Sequence, residues 1–101
     1  MGFKAAFVFV APEVDSAKSR SVIETPQVDL ITVGTATYAD AEKIVAGLLE
    51  EGVVAIELCA GFGVEGAARI KRLVAGRAQV GVVRFDGHPG FGFKSGDELF
   101  Q

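Results

Sequence analysis

One cysteine, Cys59, is all the thiol this chain has, so no disulfide can close within it and the sequence fits a reducing cytoplasm. Positive charge is not in excess. Ten basic side chains against 13 acidic ones leave a formal charge of −3, with no lysine-rich block, which argues against a nucleic-acid partner tracked by its phosphates. Long apolar runs are missing as well. The longest, Ala5 to Pro12, falls far short of the ~18 residues that suggest a membrane span. Lys4 is its only nearby positive charge and no Ala-x-Ala pattern follows, so it does not read as a signal peptide. Met1-Gly2 opens a myristoylation motif, but Ala6 stands where Ser or Thr is required. Neither nucleic acid nor a membrane is expected as a partner.

What is present is a 101-residue chain, half of it hydrophobic, read as one α/β domain over residues 1–101. A monomer of this size buries about 60–70% of its unfolded surface, less than so apolar a composition asks for, and a homo-oligomer is therefore expected. Shifting the chain by 26 residues aligns Val28, Val54 and Val80, then Leu30, Ile56 and Val82, and also Ala41 with Ala67, Ile44 with Ile70 and Leu48 with Val74. The unit is a strand followed by a helix. Val28 to Gly34, Val53 to Cys59 and Gln79 to Phe85 are short β-branched runs of the kind found in buried parallel strands, and Phe3 to Val10 makes a fourth. Helices are predicted near Tyr38 to Glu51 and Val64 to Ala75. The first carries an apolar stripe from Ala41 to Leu49, a Thr37/Asp40 start resembling a capping box and Gly52 as its stop. The second turns Ala67, Ile70, Leu73 and Val74 inward and Arg69, Lys71 and Arg72 toward solvent, and Gly76 ends it.

Strands joined by single helices return in the same direction. The expected fold is a small, mostly parallel four-stranded sheet in the order 2-1-3-4 with two main helices, a Rossmann-like or flavodoxin-like half domain whose topological switch lies beside Gly61. The stretch from Ala11 to Gln27 reads as a long polar connection with one helical turn near Asp15 to Ser19, broken by Thr25-Pro26. The tail 86–101, rich in glycine and phenylalanine, reads as neither helix nor simple linker, and is expected to pack on another surface such as a neighbouring subunit.

Chemistry concentrates at the strand ends. In Ile56 to Gly66 a strand runs into G-x-G-x-x-G (Gly61, Gly63, Gly66) and then a helix, where free N–H groups and the helix dipole favour an anion. Asp86, 20 residues after the third glycine, stands where a dinucleotide fold keeps its ribose-binding acid, but half of such a fold is missing, and no cofactor is assigned. The same glycines also suit a tight turn and close packing of helix on sheet. Candidate ligand-binding residues along this edge are Gly34, Thr35, Gly61, Phe62, Gly63, Asp86 and Gly87. Candidate catalytic residues are Cys59, the only thiol, whose thiolate a helix N-terminus would stabilise; His88, the only imidazole; and Glu57, a carboxylate in an otherwise apolar strand. Repeat alignment sends Glu57 and Arg84 to opposite faces. Gly92-Phe93-Lys94-Ser95 lacks the glycine before lysine that a P-loop needs, and Asp86-Gly87-His88 lacks a third metal ligand, so no metal site is expected. The acidic first helix and the basic second one read as solvated faces.

Ser21-Val22-Ile23-Glu24-Thr25-Pro26, Ile56-Glu57-Leu58-Cys59-Ala60-Gly61-Phe62-Gly63 and Val80-Gly81-Val82-Val83-Arg84-Phe85-Asp86 together resemble a family of short prokaryotic hypothetical proteins classed as a domain of unknown function. The resemblance runs from Phe3 to Arg84 and implies a small cytoplasmic α/β protein, with no activity attached. Two functions are carried forward from the residues themselves. The first is binding of a small anionic or polar metabolite at the strand edge near Gly61 to Gly63. The other is a small cofactor-independent isomerase or lyase using Cys59, Glu57 or His88 for proton transfer or covalent attack.

Overall fold

The computed structural model describes residues 2–85 and 87–101. Alternating burial builds the first strand, β1 (Phe3–Val10): Ala6, Val8 and Val10 are buried and the residues between them are not. It lies between β3 (Val28–Thr35) and β4 (Val53–Leu58), parallel to both, and β5 (Gln79–Val82) runs parallel along β4. These four strands stand in the expected order. The sheet, however, has five strands and is mixed, ordered β2-β3-β1-β4-β5, because β2 (Arg20–Glu24) pairs antiparallel with β3 along the edge. The expectation of a polar connection fails here. Asp15 to Ser19 does make a turn, with Lys18 and Ser19 both donating to the Asp15 carbonyl, but Arg20 to Glu24 then extend alongside β3. Being exposed throughout, that strand carries no burial alternation for a sequence pattern to reveal.

Helix α1 (Tyr38–Glu50) starts at Thr37, whose Oγ1 accepts from Asp40 N at 3.0 Å, while the Asp40 carboxylate accepts from Ala36 N. Its stripe of Tyr38, Ala41, Val45, Leu48 and Leu49 is buried on the sheet. Helix α2 (Val64–Val74) buries Ile70 and Val74, whereas Leu73, expected inside, is 38% exposed. Both crossovers, β3–α1–β4 and β4–α2–β5, advance in the same direction across the sheet, and α1 packs against α2 on one face. Arg69 of α2 meets Glu42 of α1 at 2.7 Å, and Arg77 reaches Glu50, so part of the charge expected to be merely solvated ties the two helices together. Arg20 of β2 does the same for the end of α1, 2.7 Å from Glu51.

A doubly wound half domain would set a helix on the other face between β1 and β3. This chain spends that connection on β2, which joins the edge of the sheet instead. The core therefore has a single layer of contact: Ala6, Val8, Ile31, Val33, Ile56 and Leu58 face the helices, and none of Ala5, Phe7, Phe9 or Leu30 joins that cluster. The 26-residue repeat is out of step with this packing. It equates Leu30 with Ile56, but the sheet aligns Ile31, Ala6, Ile56 and Val80 in one row, so Leu30 points away from the core. A register shift opposite Lys4 and Ala5, where Val54 is skipped, accounts for the offset.

The tail also departs from expectation. It folds back on its own chain as a single 3₁₀ turn (Pro89–Phe91) and a short helix α3 (Gly96–Leu99) with Ser95 and Glu98 forming a capping box, and Phe100 is buried against Tyr38. No described helix is long and apolar enough to cross a membrane.

A one-sided core gives unequal responses to truncation. Ile56→Ala, at a fully packed site, is expected to cost about 2–5 kcal/mol, and Leu73→Ala about 0.5 kcal/mol. Urea unfolding of both variants checks the contrast.

Candidate functional site

The Gly61 loop turns the chain from β4 into α2. Gly63 is the N-cap of α2 and has no side chain to offer, so the first amides of this helix need acceptors from elsewhere. They receive them from within the protein. Gly63 N donates to the Tyr38 hydroxyl at 2.9 Å, and Glu65 N and Gly66 N donate to the two oxygens of Asp97 at 3.1 Å each. Tyr38 in turn donates to Asp97 Oδ1 at 2.8 Å. Phe62 N donates to the Cys59 carbonyl, and Gly61 N to Cys59 Sγ at 3.2 Å. The helix N-terminus expected to hold an external anion thus already holds an internal one, the Asp97 carboxylate. Glu65 is not the cap; its carboxylate accepts from the Gln101 amide.

The glycines of the motif make this closure sterically feasible. A Cβ on Gly66 would sit 2.3 Å from the Tyr38 ring, and one on Gly63 would sit 2.3 Å from the Asp97 carboxyl carbon. Across the junction, a Cβ on Gly96 would come within 1.6 Å of the Gly61 carbonyl oxygen. Tyr38 is wholly buried, stacked on Phe62 at 5.5 Å between ring centroids, with the Arg69 guanidinium 5.7 Å from its own centroid. Burial pushes its hydroxyl pKa well up; the Gly63 N–H opposes this and the adjoining Asp97 carboxylate reinforces it, so Tyr38 stays a donor. For Asp97 burial acts upward, but the hydrogen bonds from Glu65 N, Tyr38 and Gly66 N, together with the charge of Arg84, outweigh it and hold the carboxyl below its usual range.

Beside this closed junction lies an open one. A cleft of about 120 Å³ is floored by Ala60, Phe62, Gly63 and Val64 and walled by Arg84, Phe85, His88 and Lys94, with Ser95 and Gly96 at the tail side. Its wall comes from two segments. Val83 N donates to the Leu58 carbonyl, which extends the sheet contact beyond β5 and delivers Arg84 to the strand edge. His88 and Lys94 are brought together by a small loop, with His88 N donating to Lys94 O at 3.0 Å and Phe93 N to His88 O at 2.9 Å. The imidazole stacks on Phe91 at 4.0 Å, and its Nδ1 accepts from Gly90 N, which leaves Nε2–H as its donor. Neither Arg84 nor Lys94 forms an ion pair with any described residue.

Of the residues singled out by sequence, Phe62, Gly63 and His88 line this cleft, and Gly61 lies buried next to it. Cys59 does not line it; its sulfur is half-buried and accepts from Gly61 N. Glu57 is exposed beside Phe7 and Gly81 on the face away from the helices, so the three candidate catalytic side chains do not converge on the cleft. Thr35 is buried and donates to the Phe9 carbonyl at 2.8 Å, and Gly34 lies under the Phe9 ring. A Cβ on Gly87 would come within 2.4 Å of the Phe93 carbonyl oxygen, giving that glycine a packing role. Asp86 is outside the described residues. Among those residues no group of three metal-ligating side chains gathers. Tyr38, Asp97, Arg84 and Lys94 were not foreseen as site residues. Ser95-x-x-Glu98 was the available signal for a helix start in the tail, and the single tyrosine at the first position of α1 was the other.

The chain belongs to the family of unknown function DUF6506, whose model matches residues 3–98. No curated protein and no solved structure matches it.

Asp97→Asn is expected to cost about 1–2 kcal/mol at neutral pH, the range of a lost helix cap. Because the folded carboxyl titrates below its unfolded value of about 3.9, its contribution is complete above that value and disappears as pH falls through the folded pKa. The Tm difference between wild type and Asp97→Asn should stay level from pH 5 to 8, about the ordinary range for such proteins, and close below about pH 4. Gly66→Ala, which drives a methyl group into the Tyr38 ring, is expected to cost about 1–3 kcal/mol in urea unfolding.

Proposed function

We propose that this protein binds a small anionic metabolite, bearing a carboxylate or phosphate, in the cleft between the Gly61–Gly63 loop and the His88–Lys94 loop. Family membership brings no activity, so the reading rests on the site alone. One observation carries it: two cationic side chains, Arg84 and Lys94, line one cleft together with His88, and neither cation is paired with a described carboxylate. In a chain with a net charge of −3, where Arg20, Arg69 and Arg77 are each paired with a glutamate, two cations left free of described carboxylates at the lining of one cleft make a local concentration of positive charge. Arg84 offers a planar fork suited to a carboxylate or phosphate, and Lys94 offers a mobile point charge. Phe62 and Phe85 add apolar walls, so a ligand with a short carbon skeleton and an anionic end fits the lining.

The site differs from a helix-terminus anion site in its donors. The α2 amides are engaged by Tyr38 and Asp97, so specificity falls to side chains, and Arg84, whose charge also reaches Asp97, makes no ion pair with it. Calorimetric titration with phosphate, sulfate, malonate and succinate tests the reading. At least one of these anions is expected to bind, with Arg84→Gln and Lys94→Gln each weakening it by about 10-fold or more, the range for losing a charge-assisted hydrogen bond. Affinity should also fall with added sodium chloride. Absence of heat and of thermal stabilisation with every anion would overturn it, as would binding that neither substitution alters.

A further inference from the structure

We infer that the sheet face turned away from the helices is the contact surface of a homodimer, in which two copies stack β1 and β3 of one on β1 and β3 of the other. The topology sets no helix on this face, whose one end carries Val14 beside the Phe9 ring over Gly34 and whose central side chains Phe7, Val28 and Leu30 are half-buried among their sheet neighbours. β1 presents Phe3, Ala5, Phe7 and Phe9 to it, and β3 presents Val28 and Leu30. Ile23 on β2 and Ala55 on β4 extend the same surface, since they stand in one row with Leu30 and Ala5. Phe3 is 53% exposed and Ile23 59%. Three of the chain's eight phenylalanines lie on a surface that no helix covers. Parallel strands are almost always covered on both faces, and here four adjacent parallel strands have helices on one.

Area and polarity specify the occupant. Five strands spaced about 4.8 Å apart and some five residues long at about 3.3 Å each give a plane of roughly 400 Å² before side-chain relief is counted. Two such planes make roughly 800 Å² before relief, below the ~1,200 Å² of stable specific interfaces and in the range of weak, reversible association, which sets the expected strength at micromolar. The layout is that of an interface with an apolar centre on β1 and β3. Its rim is polar: in the row of Phe7, Ser21 stands at one end beyond Thr32 of β3 and Glu57 on the other side, and Gln79 ends the row of Ala5. Glu57 is the only charge among these rows, so the face holds no pattern that would select a charged partner. A twisted sheet face of this kind is complementary to itself, and aligned packing at about −30° brings the two β1 strands across each other while each Glu57 stays at the wet rim.

Sedimentation equilibrium over about 1–200 µM, read as a dissociation constant, tests the interface with three proteins. Wild type is expected to dimerise with a micromolar constant. Phe7→Lys, which sets its ammonium beside Glu57 on the next strand and so is tolerated in the free chain, is expected to weaken association by about 30-fold or more, as removal of a central anchor does. Ile23→Lys lies on the exposed edge strand, where the fold does not depend on it, and is expected to weaken association in the same direction. Circular dichroism confirms that both variants keep the wild-type spectrum. A wild type that stays monomeric across the range overturns the inference, and so does a dimer whose constant neither lysine changes.

Discussion

The junction of Tyr38, Asp97 and the start of α2 is the constraint on which the rest of the molecule depends. A helix that begins at glycine leaves its first N–H groups without a local acceptor, and a buried unpaired amide costs about as much as a lost hydrogen bond. The acceptor comes from Asp97, more than thirty residues farther along the chain, and it is oriented by a tyrosine from α1. Three elements are fixed relative to one another by one carboxylate and one hydroxyl. The tail is consequently part of the core structure. Phe100 packs on Tyr38 and Phe91, and Tyr38 N donates to the Phe100 carbonyl, so the end of the chain closes over the beginning of the first helix.

That arrangement explains which parts of the fold were legible in the sequence. The periodicities of Ala41 to Leu49 and of Ile70 to Val74 correspond to helices because both are faces buried on one sheet. The β-branched runs correspond to strands for the same reason, and the order of the four parallel strands followed from the crossovers. β2 was not legible, because an exposed edge strand has no inside face to alternate with; its residues are held by backbone pairing with β3. The tail was misjudged from its glycines. Position 96 is glycine because only a residue without Cβ can approach the Gly61 carbonyl, a reason that exists only once the two segments meet, and the Ser95/Glu98 capping box starts the helix there. The G-x-G-x-x-G motif correctly marked amides seeking an acceptor. What it could not carry was the identity of that acceptor, since nothing local to Gly61 points to Asp97.

Charge is apportioned in a way that composition conceals. Arg20, Arg69 and Arg77 each join one segment to α1 through a glutamate, and the hydrogen bond from Arg69 holds Glu42 below the usual carboxylate range. Such partly exposed pairs contribute little stability individually, about 0–1 kcal/mol, but they neutralise the helix layer. Arg84 and Lys94 are different because they come from the segments between β5 and α3, where no helix supplies a facing glutamate. Their placement goes with the closure of the tail: the loop from His88 to Lys94 is held by His88 on Phe85 and by Phe91 on Phe100, next to the helix that brings Asp97 to α2. The cleft is thus a by-product of the cap, and its positive wall stands next to an anion already committed to the fold.

The same topology that supplies the cleft also sets no helix on the opposite face. Both crossovers advance in one direction from β3, which lays both helices on one side, and the chain spends its first connection on an edge strand rather than on a helix for the other side. Phe7 and Leu30 are half-buried among their neighbours in the sheet and lie outside the core cluster beneath the helices. The cleft lies at the C-terminal ends of the strands on the helix side, and the helix-free surface lies across the sheet from it. The cleft lining and the outward rows of β1 and β3 share no residue, so the proposed ligand site and the proposed contact surface draw on separate sets of side chains. A charge on the sheet face changes one without reaching Arg84 or Lys94, and loss of either cation leaves the phenylalanine surface intact. The sheet separates the two surfaces, and its β1 strand, hydrogen-bonded on both edges, is the element on which both rest.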